Sequence, residues 1–311
     1  MSGLSIDPCN LCPRACGAKR LSGTRGVCGA NAEIEVARAA LHFWEEPPLS
    51  GERGSGAIFF VHCPMHCVFC QNAPIASGEG LGQAVSIDRL ADIMRELEGQ
   101  GALNINCVTP THYAPLIAQA VDRARAQGMT LPIVWNTSGY ETPEAIAALA
   151  GTVDVFLDDF KYAGPDLAAR YSQAPDYADV ALAALDEMVR VAGNPVFDEV
   201  DGLPRLVRGV VVRHLILPGG LADSKRVIAL LHEHYGDRIL LSIMNQYTPM
   251  MTGDLLDRFP ELGGRVTDAE YEELLDFADS LGIDDYFWQE GPAAQESFVP
   301  AWDNTGVNAS A

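Results

Sequence analysis

Three cysteines within eight residues are the part of this sequence best suited to chemistry. Cys63, Cys67 and Cys70 follow directly on an apolar run at residues 57–61. That run is short, rich in β-branched and aromatic residues and preceded by glycines, as buried strands are. Loops at the carboxyl ends of parallel strands carry the chemistry of α/β folds. We therefore expect a thiolate-bound metal centre on the cysteine loop, residues 62–72.

The spacing of the three thiols indicates which metal centre they hold. Three thiolates can each bind one iron of a [4Fe–4S] cube and leave the fourth iron without a protein ligand. A structural zinc site instead needs four protein ligands. Here His62 or His66 would have to supply the fourth. The spacing favours the open iron–sulfur cluster, and zinc is the alternative.

The same stretch, Cys63-x-x-x-Cys67-x-Phe69-Cys70, resembles the signature of the radical S-adenosylmethionine (SAM) superfamily. Its continuation at residues 71–77 (QNAPIAS) resembles the branch related to pyruvate formate-lyase activating enzymes. The resemblance covers nearly the whole chain, including the N-terminal cysteines. The further segments that carry it are residues 104–106 (NIN), 108–112 (VTPTH), 136–140 (NTSGY), 159–162 (DFKY) and 213–219 (RHLILPG).

The resemblance implies an enzyme that uses a reduced [4Fe–4S] cluster to cleave SAM. The resulting 5′-deoxyadenosyl radical then abstracts a hydrogen atom from a substrate. In the branch concerned that substrate is a glycine of a partner protein, and the reductant is of the flavodoxin or ferredoxin type. Radical modification of another peptide or of a small molecule is the alternative within this chemistry. A non-enzymatic thiolate protein that binds metal or senses redox state is the alternative outside it.

The resemblance also implies which residues hold the cofactors. Cys63, Cys67 and Cys70 correspond to the cluster ligands, and Phe69 corresponds to the aromatic residue beside the adenine. The remaining candidate SAM contacts follow or end the predicted strands and are Thr109, Asn136, Ser138, Asp159, Lys161 and His214. Residues 108–112 replace the Gly-Gly-Glu-type stretch that binds the methionine amine in the superfamily, so the amine contacts stay open.

Several of these candidates also have a purely structural interpretation. Asp159 and Lys161 can be an ion pair at the rim of the sheet, and His214 can be a core histidine. His112 is a candidate proton donor or substrate contact. Cys107 is a candidate hydrogen-atom donor, although a cysteine inside a strand is more often a buried hydrophobe.

A second set of thiols lies near the N-terminus, in a stretch rich in glycine and proline. Its members are Cys9, Cys12, Cys16 and Cys28. Four thiols in one compact segment suit a closed tetrathiolate site that holds either zinc or an auxiliary iron–sulfur cluster. Free thiols or a transient disulfide are the alternative.

After the cysteine loop, apolar strands alternate with amphipathic helices. Strands are predicted at residues 57–61, 103–108, 131–135, 153–157, 210–217 and 239–244, with a short one at 286–288. This alternation predicts an α/β fold with a parallel sheet. Six units are too few for the closed eightfold barrel, so we expect a partial (β/α)6 barrel of the TIM type. Residues 194–209 interrupt the pattern as a loop or hairpin, a candidate part of the substrate mouth.

The domain organisation follows from these patterns. We expect a cysteine-rich metal-binding segment at residues 1–50, with a short strand of its own at residues 33–40. The partial barrel then occupies residues 51–290. The boundary is placed at residues 45–51 (EEPPLSG), because the prolines break the chain there. Residues 291–311 form a tail of small polar residues that we expect to be partly disordered, with residues 298–302 able to dock.

Composition restricts the partners and the compartment. The net charge of −21, from 21 Lys plus Arg against 42 Asp plus Glu, disfavours binding to nucleic acid. No apolar run has the length of a membrane span. The first residues lack the basic region and apolar core of a signal peptide. Clustered thiols in such a chain indicate a reducing compartment, so we expect a cytoplasmic protein with no nucleic-acid or membrane partner.

Overall fold

The computed structural model describes residues 4–78, 80–290 and 299–308. The strands in these ranges are β1 (Ile34–His42), β2 (Ser55–Phe60), β3 (Gln83–Val85), β4 (Ile105–Val108), β5 (Ile133–Thr137), β6 (Val155–Asp159), β7 (Val196–Val200), β8 (Leu203–Leu215), β9 (Leu240–Met244) and β10 (Tyr286–Phe287). The α-helices are α1 (Pro47–Ser50), α2 (Ala73–Ala76), α3 (Ile87–Gly99), α4 (Ala114–Ala126), α5 (Pro143–Ala147), α6 (Pro165–Ser172), α7 (Tyr177–Ala192), α8 (Leu221–Tyr235), α9 (Asp254–Arg258) and α10 (Asp268–Ser280).

The strands form one sheet in the order β10-β9-β8-β6-β5-β4-β2-β1-β3, and β7 pairs with β8 outside this order. From β2 to β10 every neighbouring pair is parallel, and helices connect most of these strands. The predicted α/β fold with a mostly parallel sheet is confirmed. All six predicted core strands are present, as β2, β4, β5, β6, β8 and β9.

The sheet curves so that one face encloses an interior. Inward-facing side chains of β5, β6, β8 and β9 pack together around Leu49 of α1 at the amino ends of the strands. The opposite face is covered by the helices. For example, α3 begins at Ser86, whose hydroxyl accepts from the Arg89 amide, and buries Leu90, Ile93 and Leu97. Apolar side chains thus fill the interior at the amino ends of the strands. At the carboxyl ends of the strands the interior is free to form a cavity.

The strand predicted at residues 33–40 does not belong to a separate lobe. It extends over Ile34–His42 as β1 and runs antiparallel to β2, with Ala39 opposite Ile58. The physical reason is that β2 is buried at every position and therefore needs a hydrogen-bonded neighbour on both sides. β4 supplies one neighbour and β1 the other, so the sheet continues across the predicted boundary near residue 50.

The insertion at residues 194–209 is a hairpin, but it does not lie at the substrate mouth. Asp201 and Gly202 both have positive φ, as a tight two-residue hairpin turn requires. The Arg53 guanidinium binds Asp201 at 2.7 Å, and Arg205 donates to the Leu103 carbonyl at 3.2 Å. Residues 53 and 103 precede β2 and β4, so the hairpin lies at the amino ends of the strands. The cysteine loop leaves from the opposite end.

The C-terminal segment 299–308 docks along β1. The Trp302 ring contacts Phe59 edge-on at 5.3 Å between centroids, and the Ala39 amide donates to the Thr305 carbonyl at 2.8 Å. The Arg89 guanidinium donates to the carbonyls of Val307 and Asn308. The predicted docking of the tail therefore holds for Trp302. Partial disorder is predicted for residues 291–311. Residues 291–298 and 309–311 lie outside the described residues, so that part of the prediction stays a prediction.

None of the helices in the described ranges combines the length and apolarity that a bilayer crossing requires.

Arg89→Ala should release the docked C-terminal segment. The substitution removes hydrogen bonds to tail carbonyls and the bidentate pair with Glu96, so we expect a loss of about 1–3 kcal/mol in the free energy of unfolding. Urea unfolding measures this loss, and limited proteolysis should show earlier cleavage near residue 300. Arg95→Ala on the same helix is the control, because Arg95 is exposed and its guanidinium donates to Gln127 and to no tail carbonyl of the described residues. Equal effects of the two substitutions would contradict the assignment.

Candidate active site

A cavity of about 320 Å³ opens at the carboxyl ends of the parallel strands. Each core strand contributes a lining residue at or near its end. These are Phe59 from β2, Val108 from β4, Asn136 from β5, Asp159 from β6, Arg213 from β8 and Ser242 from β9. The cysteine loop forms one wall. The cavity therefore lies where the α/β fold places its chemistry.

All three cysteines of the cysteine loop line this cavity. The Ser172 hydroxyl donates to Cys67 Sγ at 3.0 Å, and the Met65 amide donates to Cys63 Sγ at 3.4 Å. Burial, together with the neighbouring thiols, raises the pKa of Cys63 to about 11 and that of Cys70 to about 12. Without metal, the thiols of Cys63 and Cys70 are therefore protonated at neutral pH, and a metal centre has to displace these two protons when it binds.

The donor set fits an iron–sulfur cube better than a single metal ion. Each cysteine of the cube binds a different iron, so the three sulfurs do not need to meet at one point. In the described part of the chain, no three thiol, imidazole or carboxylate groups lie close enough to hold one ion. Cys63, Cys67 and Cys70 nevertheless surround the same space.

Residues of the N-terminal segment brace the backbone of the cysteine loop. His62 and His66 adopt left-handed backbone conformations, with φ of 76° and 51°. The His66 ring donates to the Val27 carbonyl at 2.8 Å, and the His62 ring nitrogen Nε2 lies 3.3 Å from Glu35 Oε1. Arg14 also donates to the Pro64 carbonyl. Neither histidine lines the cavity, so neither is placed as a fourth metal ligand.

Arg213 organises the polar interior of the cavity. Its three guanidinium nitrogens each have a different partner: Nε donates to Asp159 Oδ1 at 2.7 Å, Nη1 to Glu45 Oε2 at 2.8 Å and Nη2 to Asn136 Oδ1 at 2.9 Å. Lys161 Nζ donates to the second Asp159 oxygen at 3.1 Å. Although burial opposes ionisation, Arg213 and Lys161 lower the pKa of Asp159, so this carboxylate stays charged at neutral pH.

Glu45 and Glu46 are cavity residues that the sequence analysis missed, because their proline-rich surroundings favoured a domain boundary. Glu45 accepts from Asn106 Nδ2 at 2.8 Å as well as from Arg213. Glu46 is only 7% exposed, and its Oε2 has no hydrogen-bond partner among the described residues. Burial raises the pKa of Glu46 and the nearby Glu45 adds to the rise, while the charge of Arg213 and, more weakly, a hydrogen bond from Ser242 oppose it. The sequence feature that could have indicated these two cavity residues is a pair of acidic residues between apolar ones.

Most of the predicted SAM contacts share this cavity. Its lining includes Phe69, Thr109, Asn136, Ser138, Asp159 and Lys161. Thr109 has a left-handed backbone, with φ of 57°, and its amide donates to the Asn136 carbonyl at 2.9 Å. The Phe69 ring is buried edge-on against Tyr162 and Tyr171. The left-handed backbone of Thr109 is strained, and strain at a non-glycine residue is typical of functional sites.

His214 is not brought into the cavity. Alternate residues of a strand face opposite sides, so Arg213 and Leu215 line the cavity while His214 points towards α8. Its Nδ1 donates to the Phe160 carbonyl and its Nε2 meets the Ser224 hydroxyl, both at 2.8 Å. Both ring nitrogens are therefore used inside the core, in agreement with the structural interpretation.

His112 and Cys107 also lie outside the cavity lining. His112 is buried and donates from Nε2 to the Val61 carbonyl at 2.8 Å. Burial lowers its pKa to about 3, so the ring is neutral. Cys107 packs in the helix-covered core, and burial raises its pKa to about 12. Neither side chain therefore faces the cavity, where a substrate would bind.

The sequence model of the radical SAM superfamily matches residues 57–215, just over half of the chain. The chain belongs to the radical SAM superfamily. An uncharacterised protein of Methanocaldococcus jannaschii is 26% identical over 292 residues, which cover 89% of this radical SAM protein and 75% of the relative.

The fold is also similar to that of a solved protein. A radical SAM methyltransferase from Sphaerobacter thermophilus superposes with a TM-score of 0.50 at 15% identity, over 74% of this chain and 64% of that one. For HydG, a maturase of the [FeFe]-hydrogenase, the TM-score is 0.48 at 13% identity, over 75% of this chain and 51% of that one. The chain thus spans less than two thirds of either solved protein. Superfamily membership implies an enzyme with a [4Fe–4S] cluster and SAM, and the cysteine loop lies inside the matched range.

Arg213→Gln should destabilise the protein because it removes the cation that pairs with Glu45 and one of the two that pair with Asp159. Removal of one partner from a buried ion network costs about 3 kcal/mol. In the folded protein the pKa of Asp159 lies below its ordinary value of 3.8, so this contribution is fully present above about pH 4 and is lost as the pH falls further. Urea unfolding at pH 7 and at pH 3 should therefore show a large loss at the first pH and a smaller one at the second.

Arg53→Gln is the control for this experiment. Arg53 and Asp201 form an ion pair in which both side chains are about half exposed to solvent, so its loss should cost much less than the loss of Arg213. A loss for Arg213→Gln that is as small as that of the control would refute the central role given to Arg213.

Proposed function

We propose that this radical SAM enzyme binds SAM in the cavity and abstracts a hydrogen atom from a substrate held there. The observation that carries the proposal is that three cysteines at the superfamily spacing share one cavity with a set of charged and polar strand-end residues. Cys63, Cys67 and Cys70 are the proposed cluster ligands. A thiolate protein without enzymatic function would have no use for such a polar cavity beside its metal.

The residues of the cavity suit the functional groups of SAM. SAM presents an amine, a carboxylate, a ribose diol and an adenine, which need donors, acceptors and an aromatic neighbour. Asn136, Ser138 and Thr109 supply uncharged polar groups, and Asp159 with Lys161 supplies one charge of each sign. Phe69 is the proposed neighbour of the adenine. When bound and reduced, the cluster and SAM together supply a 5′-deoxyadenosyl radical. The protein itself positions these groups and excludes water.

A glycine of a partner protein is our proposed substrate, in a reaction like that of glycyl-radical-enzyme activating enzymes. The sequence of residues 71–77 and the Asp159-x-Lys161 motif support this choice through their resemblance to that branch. Trp44 and Trp288 line the cavity and are each about half exposed, which gives a protein partner apolar surface at the entrance. We propose a flavodoxin- or ferredoxin-type reductant and a cytoplasmic location, where thiols stay reduced.

We further propose that the four N-terminal cysteines bind a second metal centre, either zinc or an auxiliary cluster. A Cβ added at Gly26 would lie 3.2 Å from Cys16 Sγ and 3.4 Å from Cys28 Sγ, so these two sulfurs face one small space. Burial raises the pKa of Cys12 to about 12, and the nearby Cys28, Cys9 and Cys16 add to the rise. The four described thiols therefore lie in one region of the segment, although no three of them are close enough to hold one ion as they stand, so a metal centre would have to draw them together.

Cys67→Ala should abolish SAM chemistry without unfolding the protein. The variant loses one of three cluster ligands, so anaerobically reconstituted protein should lose the SAM-dependent change in its electron paramagnetic resonance signal. Production of 5′-deoxyadenosine with dithionite should fall at least a hundredfold. Cys107→Ala should keep its cluster, because Cys107 is buried away from the cavity. A wild-type signal that ignores SAM would refute the proposal.

Cys12→Ala should remove the second metal centre alone. Elemental analysis of purified protein should show a loss of about one zinc or about four irons, depending on which centre is present. The SAM-dependent signal of the cysteine loop should persist in this variant, whereas Cys67→Ala gives the reverse pattern. If Cys12→Ala leaves the zinc and iron contents unchanged, the N-terminal cysteines are free thiols.

A further inference from the structure

We infer that Glu46 is the carboxylate that recognises the substrate, and that the group it binds is a cationic nitrogen, either a protonated amine or a guanidinium. The inference deepens the proposed function and rests on it, because the cationic nitrogen it assigns to the cavity is that of a lysine or arginine side chain of the partner protein, near the proposed glycine.

The first observation is the geometry of Glu46 itself. The residue lines the cavity and is 7% exposed, yet its Oε2 has no donor among the described residues. Ser242, which is 4% exposed and lines the same cavity, donates to this carboxyl group. A buried carboxylate oxygen without a donor is costly, so the missing donor is expected from a bound molecule.

The second observation is the distribution of charge in the cavity. Glu45 and Asp159 are both paired with Arg213, and Asp159 is paired with Lys161 as well. The three donor nitrogens of Arg213 are taken by Asp159, Glu45 and Asn136. Glu46 forms no ion pair among the described residues, although Arg213 is near enough to attract it, and the described cavity lining holds three carboxylates against the two cations Arg213 and Lys161. A cationic guest would balance Glu46, whereas a guest carboxylate next to it would be repelled.

The third observation is the aromatic wall. Trp44, Phe287 and Trp288 line the same cavity as Glu46, and Trp44 precedes it by only two residues. Aromatic faces attract cations, tryptophan most strongly. A carboxylate combined with tryptophan and phenylalanine rings is a suitable environment for a positively charged nitrogen on an apolar stem.

The position of Glu46 in the sequence separates its role from that of the cofactor residues. Glu46 and Ser242 lie on either side of residues 57–215, the range that matches the superfamily. The predicted SAM contacts that line the cavity lie inside this range. The common part of the fold binds the cofactor that all members share. Residues outside this common part can differ between members that act on different substrates. Because Glu46 lies outside it, we assign Glu46 to the substrate and not to the cofactor.

The test uses n-butylammonium as the probe, with n-butanol and n-butyrate as neutral and anionic controls. Calorimetry on the full-length, reconstituted and unreduced protein should show binding of n-butylammonium and at least tenfold weaker binding of both controls. Glu46→Gln should weaken n-butylammonium binding at least tenfold. Glu52→Gln should leave it unchanged, since Glu52 is exposed and lies outside the cavity.

Two further measurements keep the test decisive. Glu46→Asp retains the charge, so it should keep the preference for n-butylammonium over n-butanol even if Glu46→Gln fails to fold. Equal binding of n-butylammonium to the wild type and to Glu46→Gln overturns the inference. So does a loss of SAM affinity in Glu46→Gln, which would reassign Glu46 to the cofactor. Failure of the proposed function is distinguishable, because it would appear as a wild-type protein that does not bind SAM.

Discussion

The arrangement of the cavity depends on one guanidinium group. Arg213 extends from β8 into the interior and holds groups from three other parts of the chain: Asn136 from β5, Asp159 from β6 and Glu45 from the segment before α1. A planar guanidinium donates in fixed directions, so it sets the positions of its partners as well as their charges. Because Asp159 in turn holds Lys161, a change at Arg213 would reach nearly every charged side chain at this end of the sheet.

The segment that enters the cavity before α1 links parts of the chain that sequence analysis separated. Glu45 and Glu46 lie in the polar interior, while Leu49 a few residues later fills the apolar end of the barrel. The N-terminal segment also supports the cysteine loop from outside, through Arg14 and the Val27 carbonyl. Residues before position 57 thus contribute to the cavity and to its metal-binding wall, although they lie outside the superfamily match.

Much of the fold could be predicted from the sequence because its strands are short, apolar and separated by clear helix signals. The metal-binding role of the cysteine loop could also be predicted, since the spacing of its thiols is visible in the sequence itself. The face on which His214 lies could not be predicted, because it depends on the register of β8 against its neighbours. The end of the sheet at which the hairpin of β7 and β8 lies could not be predicted either. The place of Glu46 in the cavity could not be predicted, because the prolines that follow it normally mark a linker. In this fold they turn the chain into the barrel.

An open barrel has free sheet edges, and exposed edges invite pairing with another molecule. The described strands at the two ends of the order, β3 and β10, have only three and two residues, so each offers few unpaired backbone groups. β7 is longer and exposes Val196 and Phe197, but Asp198, which pairs with Arg205, and Glu199 follow directly and place charged side chains on that edge. The sheet must stay open to admit a substrate. Its edge strands are short or charged, and this protects the protein from aggregation by edge-to-edge pairing.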